Sequence, residues 1–331
     1  TVSQNVSATS GGVNFNTTSS GVNGSGAAVT ASELIAMGTG TFTLTNAGND
    51  VDTLSVNVTG ALTFTDDDGF VTGSITIDSM TGDGLTATGD LIFNLDGGSI
   101  DETAQAITAD GLAINQSTNN ATGFVLDNAA NDVATLAVNV ASNFQYVDSN
   151  GDLAIGTVGS TSGVAAAGQT VVLTATDTMT VSQNITGTNI KVTADDGVAQ
   201  SGGAVTGTNL LLLGTGTFDF SQTNDVDILA ANVTGDLRFS DSDGFSINTV
   251  TIGAMTENHL TVGGTADLDS GLGAIINTGQ ILASGLLVVS SAAQTLDNAL
   301  NDVDNLEANI TAGGFKFVDT DDVTVGGLSG G

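Results

Sequence analysis

The sequence contains no cysteine, no proline and no tryptophan, and it has one tyrosine, Tyr146, and one histidine, His259. It is almost without positive charge: Lys191, Arg238 and Lys316 stand against 36 acidic residues, for a net charge of −33. Each absence removes a class of function. Without cysteine there is no disulfide framework and no thiolate metal site. A lone histidine in Glu257-Asn258-His259-Leu260 reads as a solvated side chain rather than a zinc ligand. Three cations cannot neutralise a nucleic-acid backbone or hold an anionic membrane surface. The apolar runs are short, none longer than the one at residues 210–213, whereas a helical bilayer span needs about 20 residues. Lysine, arginine and glutamate are too scarce to furnish exposed helix faces.

What is present is glycine (45 residues), with much threonine, asparagine, serine and valine, and a hydrophobic fraction of 40%. That fraction is enough for a core and argues against disorder, which couples high charge to low hydrophobicity. A strongly acidic surface is soluble, self-repelling at low salt and tolerant of salt or divalent cations, which suits a cell exterior. The chain begins at Thr1 with neither methionine nor a signal peptide, so a processed product or a fragment is expected.

Internal repeats organise the rest. One segment occurs four times: NDVDTLSVNVTGALTFTDDDGF from Asn49, NDVATLAVNVASNFQYVDSNGDL from Asn131, NDVDILAANVTGDLRFSDSDGF from Asn224 and NDVDNLEANITAGGFKFVDTDDV from Asn301. The copies are spaced 82, 93 and 77 residues apart. A longer period lies above them. TVSQN opens at Thr1 and Thr180, GTGTF at Gly38 and Gly214, and LDNA at Leu126 and Leu296, giving offsets of 179, 176 and 170. The chain therefore reads as a tandem duplication, residues 1–179 and 180–331, forming one continuous solenoid.

Within each copy apolar and polar residues alternate, as in Leu54-Ser55-Val56-Asn57-Val58 and Leu62-Thr63-Phe64, which is the period of a strand. Valine, isoleucine, threonine and phenylalanine dominate these runs, and glycine, asparagine and aspartate punctuate them as turns. The spacing also permits a string of sandwich domains, but those carry tryptophan or tyrosine cores. A complete lack of proline fits strands paired on both sides, where every N–H is needed. The expected fold is all-β, a right-handed parallel β-helix (β-solenoid) with about 20 residues per turn and about 16 turns.

The NDV-x-x-L-x-x-N-V-T-G segments, with D-x-D-G-F after them and L-L-x-G-x-G-T-F before, resemble the β-helical repeats of filamentous-haemagglutinin-like large exoproteins and adhesins. The resemblance covers most of the chain and implies a parallel β-helix, export to the cell surface, and adhesion or fibre formation. The family's N-terminal secretion domain has no counterpart among these residues.

The candidate sites are few. The acidic turns pair Asp66 with Asp68, Asp148 with Asn150, Asp241 with Asp243 and Asp319 with Asp321. Clustered oxygens of this kind suit Ca²⁺, the one cofactor the sequence suggests, although no bidentate glutamate follows as in an EF-hand. The alternative is a tight corner built from aspartate, asparagine and glycine. The Asn-Asp pairs at Asn49, Asn131, Asn224 and Asn301 read as Asx turns capping corners. Arg238 and Lys316 share a repeat position with Thr63 and Gln145, which reads as surface drift and not as a catalytic slot. N-x-S/T sequons occur at Asn5, Asn16, Asn23, Asn57, Asn115, Asn120, Asn184, Asn232 and Asn309 and are glycosylation acceptors only in a host that modifies exported proteins. Thr-x-Thr pairs such as Thr41-Phe42-Thr43 raise an ice-binding surface as a minor alternative.

The sequence thus predicts an extracellular structural or adhesive fibre segment and no enzyme. The alternatives are a calcium-stabilised matrix or surface-layer element and, behind it, an ice-binding solenoid or a polysaccharide-acting β-helix enzyme. Expected partners are further copies stacked end to end, or the rest of a longer array, with cell-surface or matrix components. Neither Thr1-Val2-Ser3-Gln4 nor the glycine-rich end reads as a cap for an open strand edge.

Overall fold

The computed structural model describes residues 1–103, 105–119 and 122–328. Every regular element in them is a strand, and the strands stack in parallel as a β-solenoid of about 16 turns. By its internal contacts the chain divides into two compact units, Thr1–Gln169 and Thr170–Gly331.

In the first unit a long strand and a short one alternate around each turn. Val6–Thr17 pairs with Val29–Gly38, which pairs with Asp50–Val58. On the neighbouring side Phe42–Leu44 pairs with Leu62–Asp66. Register partners such as Ala31 and Val51, or Phe42 and Leu62, lie 20 residues apart, so one turn takes about that many. The strand alternation puts Leu34, Leu54 and Val56 inside, and Phe42, Leu44, Leu62, Phe64 and Phe93 form inward columns with no exposed surface. Phe124 lies beside Phe144 of the adjacent level with ring centroids 6.2 Å apart, and the register partners Phe64 and Phe93 both meet Phe70, at 5.8 and 5.2 Å.

The second unit repeats the scheme. Ile185–Ala194 pairs with Val205–Gly214, which pairs with the latter part of Phe218–Val233. Leu260–Asp269, Ile281–Ser290 and Asp302–Ile310 stack in the same way. Phe239 and Phe245 meet edge to face at 5.0 Å inside it.

Close stacking explains the GTGTF repeat. Gly38 and Gly214 have φ of 108° and 132°, in the left-handed region that favours glycine. A Cβ on either would also lie 1.9 Å from a carbonyl oxygen of the preceding turn, that of Thr17 or Ala194.

Among the described residues three antiparallel hairpins break the parallel scheme, each following an NDV coil. They are Ser74–Ile77 with Met80–Asp83, Thr157–Val158 with Thr161–Ser162, and Val250–Ile252 with Met255–Glu257. After the first hairpin the stack changes sides: Leu85–Ala87 lies over the end of Asp50–Val58, while Asp90–Leu95 lies over Leu62–Asp66. The hairpins carry no NDV-like signature, and alternation alone does not distinguish them from the solenoid strands beside them.

Candidate functional site

The most regular polar feature of the chain lies inside it. Asn49, Asn131, Asn224 and Asn301 have no exposed surface, and each is a bracket between turns. Asn49 Oδ1 accepts the Val29 N–H of the preceding turn at 2.8 Å, while its Nδ2 donates to Leu44 O in its own turn at 3.0 Å and to Thr65 O in the next at 2.9 Å. Asn224 accepts from Val205 N–H at 2.9 Å and donates to Phe220 O and Ser240 O. Asn301 accepts from Ile281 N–H and donates to Leu296 O and Val318 O. Asn131 accepts from Ile107 N–H at 2.8 Å and donates to Leu126 O. A primary amide supplies two donors and an acceptor on one planar group, which is what three stacked backbone levels require at a corner.

This differs from the local Asx turn expected of these residues. The Asx turn belongs to the asparagine three positions earlier. Asn46, Asn128 and Asn298 accept from the N–H of Gly48, Ala130 and Leu300 at 2.9 to 3.0 Å. In the third repeat Ser221 stands at that position.

The acidic turns are split between inside and outside. Asp66, Asp148 and Asp241 are buried, and each reaches back to the NDV valine: Val51 N–H at 3.2 Å, Val133 N–H at 2.9 Å and Val226 N–H at 3.0 Å. The second oxygen accepts from the following turn, from Gly69, Asn150 or Gly244. Asp319 is half buried and accepts from Val303 N–H at 3.2 Å. Their partners in the sequence pairs, Asp68, Asn150, Asp243 and Asp321, are exposed. Each pair therefore has one side chain engaged with backbone and one in solvent. Among the described residues no group of three or more His, Cys, Asp or Glu side chains is placed to hold a metal ion.

Burial acts on these carboxyls. Desolvation pushes Asp66 up to about 7, against the lowering effect of the Val51 and Gly69 N–H groups. Asp148 and Asp241 are raised for the same first cause. Tyr146, buried, donates its hydroxyl to Asp148 at 3.0 Å and is itself raised by burial and the neighbouring carboxylate.

A fourth polar position lies one turn before three of the NDV asparagines. Glu102 Oε2 accepts Asn128 N–H at 2.7 Å and Asn131 Nδ2 at 3.2 Å. Gln200 Oε1 accepts Gln222 N–H at 2.9 Å and Asn224 Nδ2 at 3.4 Å. Asn277 Oδ1 accepts Asn298 N–H at 3.3 Å and Asn301 Nδ2 at 2.9 Å. Sequence reading missed this set because the three residue types differ and their spacing to the asparagine varies.

It also missed the hairpins, which cover apolar outer surface. Ile77 packs against Gly12, and Gly82 against Ile35 and Ser55. Val158 packs with Ala113, Ala137 and Ile92, and Val250 and Ile252 with Leu211, Leu213, Ala230, Val172 and Ile228. A hydroxyl pair ties the two strands of each: Thr76 to Thr81, Thr157 to Ser162 and Thr251 to Thr256, all at 2.9 Å. The available signal was a threonine 26 or 27 residues after each of the first three NDV asparagines, with a second hydroxyl five residues on.

Two of the three basic side chains, Arg238 and Lys316, are paired with carboxylates. Arg238 lies between Asp219 and Asp267 in the register and reaches Asp267 at 3.5 Å, beside a shallow groove of about 320 Å³ that includes Ser221 and Asp269. Lys316 bonds Asp297 at 2.6 Å, and Gln145, at the same repeat position, bonds Asp127 at 3.1 Å. In the second and fourth repeats that position therefore partners the LDNA aspartate, whereas in the third Arg238 pairs with Asp267 of the following turn. His259 is half exposed. Of the sequons, Asn5, Asn16, Asn23, Asn57, Asn184, Asn232 and Asn309 are exposed and Asn115 is half buried, while Asn120 lies outside the described residues.

A second open groove, of about 460 Å³, runs along Asn94, Asn115 and Asn139 beside the second hairpin. Its amides bond one another and the hairpin: Asn115 Nδ2 to Asn94 Oδ1 at 3.0 Å, and Thr161 Oγ1 to Asn115 Oδ1 at 2.9 Å. No protein-family model matches the chain, and neither a curated protein nor a solved structure matches it.

Proposed function

We propose that this chain is a structural segment of an extracellular fibre of the filamentous-haemagglutinin-like kind, holding or forming surface structure without catalysing a reaction. One observation carries the reading. The polar side chains that recur in every repeat, the NDV asparagines and the aspartates of the acidic turns, face backbone groups of adjacent turns instead of converging on a ligand. Repetition therefore serves stacking, and a stack grows by adding turns without adding a new core. The excess of outward carboxylates keeps such a surface soluble and self-repelling except where ends or matrix components meet it. End-to-end association of copies, or continuation into a longer array, is the partner this reading implies.

The test is localisation and assembly together. Antibody against the chain should label intact, unpermeabilised source cells, and electron microscopy of the purified material should show filaments or extended particles. Labelling only after permeabilisation would overturn the reading, as would release of unsaturated sugars from polysaccharide by the purified chain. A melting temperature that rises with added calcium would move the proposal to a calcium-stabilised matrix element, and thermal hysteresis would move it to an ice-binding surface.

A further inference from the structure

Glu102 is the one ionisable member of the set that supports the NDV turn from the turn before. Gln200 and Asn277, which make the same pair of contacts, are neutral amides. Glu102 is 8% exposed, and only one of its oxygens is engaged; Oε1 has no hydrogen-bond partner. Its register partner on the adjacent turn is Thr72, also buried, whose Oγ1 is likewise without a partner.

No cation is at hand. Residues 1–169 contain no lysine, arginine or histidine at all. The titratable groups around Glu102 are acidic or phenolic: Asp127 after the strand Phe124–Leu126, Tyr146 and Asp148 on Phe144–Asp148, and Asp132 at the start of Asp132–Asn139. The strand Gly69–Thr72 brings none, and Asp101 on Glu102's own strand is exposed. A carboxylate in such a place has half its acceptor capacity unused and like charges for neighbours. A carboxylic acid keeps Oε2 as the acceptor for Asn128 and Asn131 and leaves no unbalanced charge on the buried, unpartnered Oε1.

We propose that Glu102 is held as the neutral acid in the folded chain, standing in for the amide of the equivalent positions, and that its ionisation is a proton-operated release of the Asn128–Asn131 corner in the first unit. Burial, its largest influence, raises its affinity for the proton, and Asp127 adds to this against the lowering effect of Asn128 and Asn131. A carboxyl with a raised folded-state pKa stabilises the fold below its unfolded pKa, and that stability disappears as pH rises through the folded value. The corner is therefore closed in acid and loosened in base, while the corners supported by Gln200 and Asn277 do not respond through this position.

The experiment uses the full chain, its E102Q variant and the reciprocal Q200E variant. Difference infrared spectra between wild type and E102Q at about pH 5.5, above the ordinary glutamate range, should show a protonated carboxylic-acid component that E102Q lacks, over the band that Asp66 gives in both. Amide exchange at Asn128 N–H, corrected for its intrinsic pH dependence, should accelerate by up to about tenfold per pH unit between the ordinary carboxyl value and the Glu102 transition in the wild type, level off above that transition, and show no such step in E102Q. Q200E should gain the same behaviour at Gln222 N–H. An Asn128 exchange profile that is identical in wild type and E102Q, or a difference spectrum with no acid component, would overturn the proposal. Comparing the two variants keeps the test decisive should one of them fold poorly.

Discussion

Ser55, Ala137 and Ala230 occupy one repeat position on the outer side of the NDV strand, and all three are buried beneath or beside a hairpin. Glu307 occupies that position in the fourth repeat, is half exposed, and accepts Leu328 N–H at 3.1 Å. On the inner side two features hold in all four repeats: Leu54, Leu136, Leu229 and Leu306 are buried, and the NDV asparagine spans backbone levels in every copy. The inside of the coil is thus fixed by stacking, and the outside follows whatever lies on it. A strand with one face covered shows alternating burial, whereas Leu54-Ser55-Val56 is buried throughout because both faces are covered.

This contrast can be broken most severely by exchanging the outer residues. Ala230→Glu places an unpaired charge beneath the third hairpin, among Leu211, Val250 and Ile252, and should cost about 3–5 kcal/mol in denaturant unfolding. Asn224→Ala tests the inner side. It leaves the Val205 N–H and the carbonyls of Phe220 and Ser240 without their partner and should cost about 2–4 kcal/mol, with a similar loss for Asn49→Ala.

Acidity sharpens the contrast further, because the buried aspartates belong to the inner side. The folded pKa of Asp66 is raised to about 7, and those of Asp148 and Asp241 are raised as well. Their stabilising effect is complete below the unfolded carboxyl value of about 4 and is lost as pH rises through the folded values. Protonation of outward carboxylates also relieves self-repulsion. The melting temperature of the chain should therefore rise by several degrees as pH falls from about 8 to about 5; a fall over that interval would contradict the burial argument.

Smaller effects lie in the hairpins and the fourth repeat. Asp78 has φ of 57° at the tip of the first hairpin, where the second and third hairpins have Gly159 and Gly253. Asp78→Gly should stabilise by about 0.5 kcal/mol in thermal unfolding, relief of the left-handed backbone outweighing the added chain entropy. Glu307→Ala should change stability by less than about 0.5 kcal/mol, the mirror of the large penalty at Ala230.

Much of the fold was legible because stacking writes itself into the sequence. Period-two alternation, the lack of proline, and GTGTF at Gly38 and Gly214 each follow from parallel turns packed a strand apart. The direction of the polar side chains was not legible. Asn49 and Asp66 sit beside turn-forming neighbours and have the residue types of exposed corners, and only the stacked backbone of the adjacent turns makes burial affordable for them. Glu102, Gln200 and Asn277 were invisible for a related reason: any carbonyl-bearing side chain of sufficient reach fills that place, so chemistry repeats while identity does not. The hairpins were hidden by having the same alternation as the strands they cover.

The most direct measurement of the stacked-turn account is site-resolved amide hydrogen exchange at Val29, Ile107, Val205 and Ile281, the four N–H groups that donate to the NDV asparagines from the turn before. The account predicts that these amides exchange only through large-scale opening, and that each speeds up when its own asparagine is changed to alanine. Exchange as fast as in exposed turns, or protection unaffected by those substitutions, would contradict it.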